Sequence, residues 1–182
     1  LKGFTLIELL VVVAIVGILS ALIIPNAITA IQKAKQKQTM KDIVGVATAI
    51  ADYITDHGQA PDSGNQSGPL QVGCNFINAI SPTYIKRCPI TDKWGDPFRV
   101  YTGSAVSTVY NIPAEEIGAD DFLIVSLGSD RADGGTITFT YNRNNLAAGL
   151  YEILSMDDFK NDLINFNGSW IHAPRIMVSS RT

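Results

Sequence analysis

Apolar side chains fill the chain almost without a break from Phe4 to Ile24, read FTLIELLVVVAIVGILSALII, and mixed polar patterning begins only beyond it. The run holds no Lys, Arg, Asp or Asn, and Glu8 is its one ionisable side chain. As a helix, these residues span about 31 Å, the thickness of a bilayer's hydrocarbon core. A carboxylate inside such a run costs about 2.5–3.5 kcal/mol on insertion scales, and anchoring alone returns nothing for it. Glu8 therefore needs a partner. No side chain of the segment is cationic, so that partner is a chain terminus or another molecule. The alternative is a carboxylate that snorkels to the headgroups from about one turn inside.

Helical spacing resumes directly after Pro25. An apolar stripe runs through Ile28, Ile31, Met40, Ile43, Ala47, Ile50 and Ile54, with Val44, Val46 and Ala51 beside it. This predicts one long helix to His57, closed by Gly58 in a left-handed cap, with His57 compensating the helix end. Pro25 has no N–H to give, so a kink or local unwinding is expected there. The domain should pack on 40–54, and the lysine-bearing stretch 32–39 should be the least covered. The apolar run is too long for an ordinary secretory signal core and leads straight into helix, so it reads as retained.

Residues 58–73 are loop by composition, and a short helix follows near 75–80. Strands are expected at 98–102, 106–111, 121–127 and 136–141, in an antiparallel sheet because the connections are too short for crossover helices. Ser155 and Asp158 form a capping-box pattern that predicts a helix to about Phe166. The tail WIHAPRIMVSS reads as coil or edge strand. The fold class is thus α+β.

Composition narrows the function. The chain has 182 residues and a formal charge of −3. Residues 58–182 carry nine basic against thirteen acidic groups, without a basic, aromatic-interleaved stripe, so no direct nucleic-acid partner is expected. His57 and His172 are isolated, and phosphate-loop and metal-ligand spacings are absent from the sequence, which argues against an enzyme. Trp94 and Trp170 read as packing residues. Glu115, Glu116, Asp120 and Asp121 form an acidic cluster that is either solvated surface or a patch meeting lysines of an adjacent subunit, and Lys86 and Arg87 are candidate basic groups for such contacts. Cys74 and Cys88 form one disulfide if the domain is exported, or remain two buried thiols if it is not. Asp130 and Asp133, in the turn GSDRADGG, either serve the turn itself or offer carboxylates to a hard cation such as Ca²⁺.

Three motifs carry a resemblance to a known family. Lys2-Gly3-Phe4-Thr5-Leu6-Ile7-Glu8, followed by the apolar run and Pro25, resembles the N-terminal segment of type IV pilins and type II secretion pseudopilins. Ile85-Lys86-Arg87 through Trp94-Gly95-Asp96-Pro97-Phe98 resembles a segment of the major pseudopilin, as does Ser126-Leu127-Gly128-Ser129-Asp130 with Asp133-Gly134-Gly135. The likeness reaches about residue 135; the last 45 or so residues go beyond the usual pseudopilin.

The resemblance implies a type IV pilin-like fold, with a long N-terminal helix against a small antiparallel sheet. It implies residues 1–3 as the end of a prepilin leader, 4–25 as membrane and filament-core helix, 26–57 as amphipathic helix, and 58–182 as the globular domain with its extension. A prepilin peptidase would cut after Gly3, and the new amine of Phe4 would be methylated. That amine would neutralise Glu8 of a neighbouring copy, and Pro25 would let the helix adjust as subunits leave lipid. Leu127 and Asp130 would be the closest calcium ligands, with Asp133 a substitute. The implied partners are further copies of the chain in a helical filament, minor pilins or pseudopilins, an inner-membrane platform with its ATPase, and the bilayer. The domain would lie on the periplasmic side. The leading function is a pseudopilus subunit; the alternatives are a surface-pilus pilin for adhesion, motility or DNA uptake, and a membrane-anchored periplasmic binding module.

Overall fold

The computed structural model describes residues 3–62, 68–110, 112–132 and 141–175. Helix α1 (Leu6–His57) has 52 residues and is about 78 Å long. Gly58 caps it in the left-handed region at φ 75°, its N–H donating to the Ile54 carbonyl at 2.7 Å. His57 stacks on Tyr53 with ring centroids 4.0 Å apart, and its Nδ1 lies 3.0 Å from the Tyr53 carbonyl oxygen in the last turn. The unwinding expected at Pro25 does not occur in the single chain: α1 is unbroken there. The Thr29 hydroxyl donates back to the Pro25 carbonyl at 3.1 Å, and the Asn26 side-chain amide donates to the Leu22 carbonyl at 3.5 Å.

Strands β1 (Gly68–Pro69), β2 (Arg99–Thr102), β3 (Phe122–Ser126), β4 (Leu150–Tyr151), β5 (Leu163–Phe166) and β6 (Ser169–Pro174) form one sheet in the order β1-β2-β3-β5-β6-β4. Helix α2 (Asn75–Ile80) packs beside α1. The expected helix near 75–80 and strands near 98–102 and 121–127 are therefore present.

β3 is buried along its length because the sheet has two covered faces. Phe122 and Ile124 point towards α1, where Ile43, Val46, Ala47 and Ile50 meet Phe76, Phe98, Val100 and Leu163. Leu123 and Val125 point the other way and join Val106, Ile112, Leu127, Ile164 and Ile171. A layer of loop and 3-10 turns, with Val106 and Ile117 among its apolar residues, covers that second face.

Several expectations are corrected. Residues 103–108 form a 3-10 turn instead of a strand at 106–111, because their apolar side chains cap the sheet from outside. The Ser155–Asp158 pair makes its bonds, the carboxylate accepting from the Ser155 N–H at 2.6 Å and hydroxyl at 3.1 Å. Yet only one 3-10 turn (Asp157–Lys160) follows, and 163–166 is strand β5. The reason is the turn Asn167-Gly168, with φ values of 49° and 81°: this is two-residue hairpin chemistry, and it pairs β5 with β6. The tail is thus an internal strand over Ser169–Pro174. β4 pairs with β6 in parallel, since the intervening β5 carries the chain back without a crossover helix. The stretch 32–39 is partly covered, with Gln36 and Thr39 buried and Lys33, Ala34, Lys37 and Gln38 exposed; the least covered part of the helix above Pro25 is 27–31. The strand expected at 136–141 lies almost wholly outside the described residues.

Candidate functional site

The lower part of α1 is bare. Every large apolar side chain from Phe4 to Ile31 is exposed, Phe4 at 78% and Leu6 at 82%. A helix of this length and composition is long and apolar enough to cross a membrane. At its start, Thr5 is the N-cap, and Glu8 closes a capping box. The Glu8 carboxylate accepts from the Thr5 N–H at 2.9 Å and hydroxyl at 2.7 Å, while the Thr5 hydroxyl accepts from the Glu8 N–H at 3.4 Å. The inference that Glu8 has no partner in its own segment is thereby corrected: it has a neutral one. Thr5-x-x-Glu8 was a readable signal for it. The capping box fixes the carboxylate next to Phe4, lining one shallow groove with Phe4, Ile7, Val11 and Val12. Gly3, Phe4 and Glu8 are therefore one locale, whereas Pro25 lies about 25 Å higher on the helix.

The upper part of α1 is held by a clamp that sequence reasoning missed. Asp92, buried at 5% exposure, is its hub. One carboxylate oxygen accepts the N–H groups of Trp94 at 2.9 Å and Asp96 at 3.0 Å; the other accepts the Ser126 hydroxyl at 2.7 Å. The Trp-Gly-Asp-Pro segment and the Ser-Leu-Gly-Ser-Asp loop are thus one bonded unit. Arg131 closes it, its guanidinium donating to the Trp94 carbonyl. This unit grips α1 at three points. The Trp94 indole N–H donates to Gln32 at 2.7 Å, the Lys93 N–H donates to Thr39 at 3.2 Å, and the Lys93 ammonium pairs with Asp42 at 2.8 Å. Gln36 adds a bond to the Tyr151 hydroxyl at 3.3 Å. Polar residues spaced along an apolar-poor helix face, opposite an Asp-x-Trp turn, were the available signal.

Cys74 and Cys88 are free thiols in this structure, both buried in the core against α1. Burial, with Cys74 nearby, pushes the Cys88 thiol up to about 11. Of the expected calcium ligands, Asp133 lies outside the described residues. Leu127 is buried, and Asp130 spends one carboxylate oxygen on the Ala132 N–H at 3.1 Å. Arg131 and Lys160 place positive charge beside that loop. Among the described residues no group of three acidic, His or Cys side chains gathers, and the rest of this loop lies outside them. The acidic patch has internal uses: Asp121 accepts from the Gly118 N–H at 2.6 Å, and Glu116 meets Arg143 at 4.0 Å. Lys86 and Arg87 are exposed.

Comparison with known proteins agrees with this geometry. Residues 2–24 match the family model described as the prokaryotic N-terminal methylation motif. The type II secretion system core protein G of Aeromonas hydrophila is 35% identical over 105 residues, 54% of this chain and 71% of that protein. Its counterpart in Escherichia coli K12 is 30% identical over 129 residues, covering 66% of this chain and 87% of the relative. That of Vibrio cholerae is 32% identical over 136 residues, covering 73% and 84%. A bare lipid-length helix, a small sheet clamped on its upper half and matches over most of each of these relatives lead to one conclusion: the chain belongs to the type II secretion system core protein G family.

Proposed function

We infer that this chain is a pseudopilin, a structural subunit that waits in the inner membrane and polymerises into the periplasmic filament of a type II secretion system. The observation that carries the reading is the uncovered apolar surface of α1 from Phe4 to Ile31. Lipid covers it in the membrane; only like surfaces of other copies can cover it once a subunit leaves lipid. Cleavage after Gly3 leaves a cationic amine on Phe4. Paired with Glu8 of an adjoining copy, it offers the carboxylate a charged partner in place of the Thr5 hydroxyl. Withdrawal of either group would strand a charge in low dielectric. The peptidase, platform, ATPase and minor pseudopilins are the general partners that family membership brings.

The test is complementation of a bacterium lacking its own core protein G. The chain is expected to restore secretion, to appear in sheared or pelleted periplasmic filaments, and to begin at N-methylated Phe4 by mass spectrometry. A protein that stays uncut and monomeric in the membrane while the rest of the machinery is present would overturn the reading.

A further inference from the structure

The loop between β4 and Asp158 sits beside the point where α1 emerges from the bilayer. Met156 touches Thr29, whose hydroxyl lies 3.5 Å from the Met156 sulfur. Thr29 stands five residues beyond Ile24, about 8 Å above the hydrocarbon edge, and the headgroup layer is about 5–8 Å deep. The loop is therefore at headgroup height. Its tip is Leu154, 85% exposed, next to Met156 at 42%. A lone exposed leucine is ordinary on a surface. This one is held out by construction: the Asp158 carboxylate accepts the N–H groups of Leu154 at 2.8 Å and Ser155 at 2.6 Å.

Above the tip is a groove of about 320 Å³ between α1 and the end of β6. Lys33, Lys37 and Arg175 line it, with Glu152 as the opposing acid, so the rim is net positive. The Arg175 N–H donates to the Tyr151 carbonyl at 2.7 Å, which fixes that end of the groove. Lys33 stands about 14 Å above the hydrocarbon edge, and its stem lets the ammonium reach down to headgroup level. Lys37 and Arg175 act through the field of an anionic surface, which extends about a Debye length.

We propose that this groove and tip form a docking surface for the anionic phospholipid headgroups of the leaflet from which α1 emerges. Leu154 and Met156 sit in the interface, Lys33 meets the phosphates, and Lys37 and Arg175 are drawn to the anionic surface through its field. The domain then rests on lipid until the subunit is withdrawn into the filament. The lysines after the apolar run, unexpected on the translocated side of a membrane helix, thereby acquire a partner there. The inference rests on Phe4–Ile24 spanning the bilayer.

The test is amide hydrogen exchange of the full chain, one copy per nanodisc, in phosphatidylcholine alone and in phosphatidylcholine with phosphatidylglycerol. Exchange across 152–158 is expected to slow in the anionic discs, by about fivefold for each basic side chain engaged. Lys33→Gln with Lys37→Gln and Arg175→Gln should erase the lipid dependence, and Leu154→Ser should weaken protection in both lipids, while the β3 amides keep their protection. Equal exchange in the two lipids would overturn the proposal, as would protection that appears only with two copies per disc, which would assign the face to a subunit contact. Failure of the chain to enter discs would refute the spanning reading itself, and with it the docking surface.

Discussion

One helix holds two regions that differ in a single respect. From Gln32 to His57, α1 buries Ile43, Val46, Ala47 and Ile50 in its own domain and is tied by Gln32, Gln36, Thr39 and Asp42. From Phe4 to Ile31 it carries more apolar surface and buries none of its large apolar side chains. Propensity does not separate the two, since both are continuous helix. What separates them is the cover. The upper half specifies the fold of one molecule; the lower half specifies what that molecule must meet, first lipid and then other copies. Mutations should sort accordingly.

The sharpest break comes at Glu8. Glu8→Leu should leave membrane insertion intact and lower the yield of sheared filaments at least tenfold, about 1.4 kcal/mol or more per subunit addition. Thr5→Val removes the hydroxyl partner, leaving the carboxylate intact with the backbone N–H of residue 5. It should cost the helix start about 1 kcal/mol while filaments still form. Equal loss of filaments in both variants, measured by shearing and immunoblotting, would mean that Glu8 serves the helix cap alone.

The next contrast concerns stability. Ile50→Ala opens a cavity against fully buried neighbours and should destabilise the domain by about 2–5 kcal/mol. Val16→Ala, on the exposed half, should leave domain stability within about 0.5 kcal/mol. Both are read by urea unfolding of the full chain in detergent, followed by emission of Trp94 and Trp170, which lie in the domain. A comparable shift from the two variants would show that the lower half contributes to the fold after all.

Asp92→Asn tests the hub. The side chain keeps one acceptor for Trp94 and Asp96 but loses the charge that binds the Ser126 hydroxyl. The expected loss is about 1.5–3 kcal/mol, the worth of a hydrogen bond to an ionised group. The same unfolding assay measures it. An unchanged midpoint would mean that the Trp94 turn and the loop at Gly128 hold their shapes independently.

What was readable in the sequence follows the same division. Period 3.6 and lipid length announced α1, and Gly58 its end, because these signals are local. β2 and β3 were legible from their apolar runs, whereas β5, beside β3 at the centre of the sheet, was expected as helix. The 3-10 layer over 103–108 was not, since an apolar stretch that caps a sheet has the same composition as one that joins it. Ser155 and Asp158 formed their bonds without starting an α-helix, because the Asn167-Gly168 turn nine residues later commits the intervening chain to a hairpin. That dipeptide was a stronger signal than the cap and went unused. The site divides likewise. Phe4 and Glu8 were visible as a motif, whereas the Asp92 hub joins segments 34 residues apart and exists only once β3 is beside the Trp94 turn.

The smallest effect is expected at the charged contact between the clamp and the upper half of α1. Lys93 and Asp42 form an ion pair at 2.8 Å, with the lysine side chain 40% exposed and the aspartate 15%. Water and salt screen the exposed partner, so the pair itself should contribute under about 1 kcal/mol. Gln38 also donates to Asp42 at 2.9 Å, so loss of Lys93 leaves the carboxylate with a neutral donor. A double-mutant cycle with Lys93→Met and Asp42→Asn isolates the coupling from packing by the lysine stem. A coupling below about 1 kcal/mol that shrinks further in 0.5 M salt is the expected result. A larger, salt-insensitive value would place the pair among the groups that hold the domain on α1, and the clamp would then depend on charge as well as on the Trp94 and Thr39 hydrogen bonds.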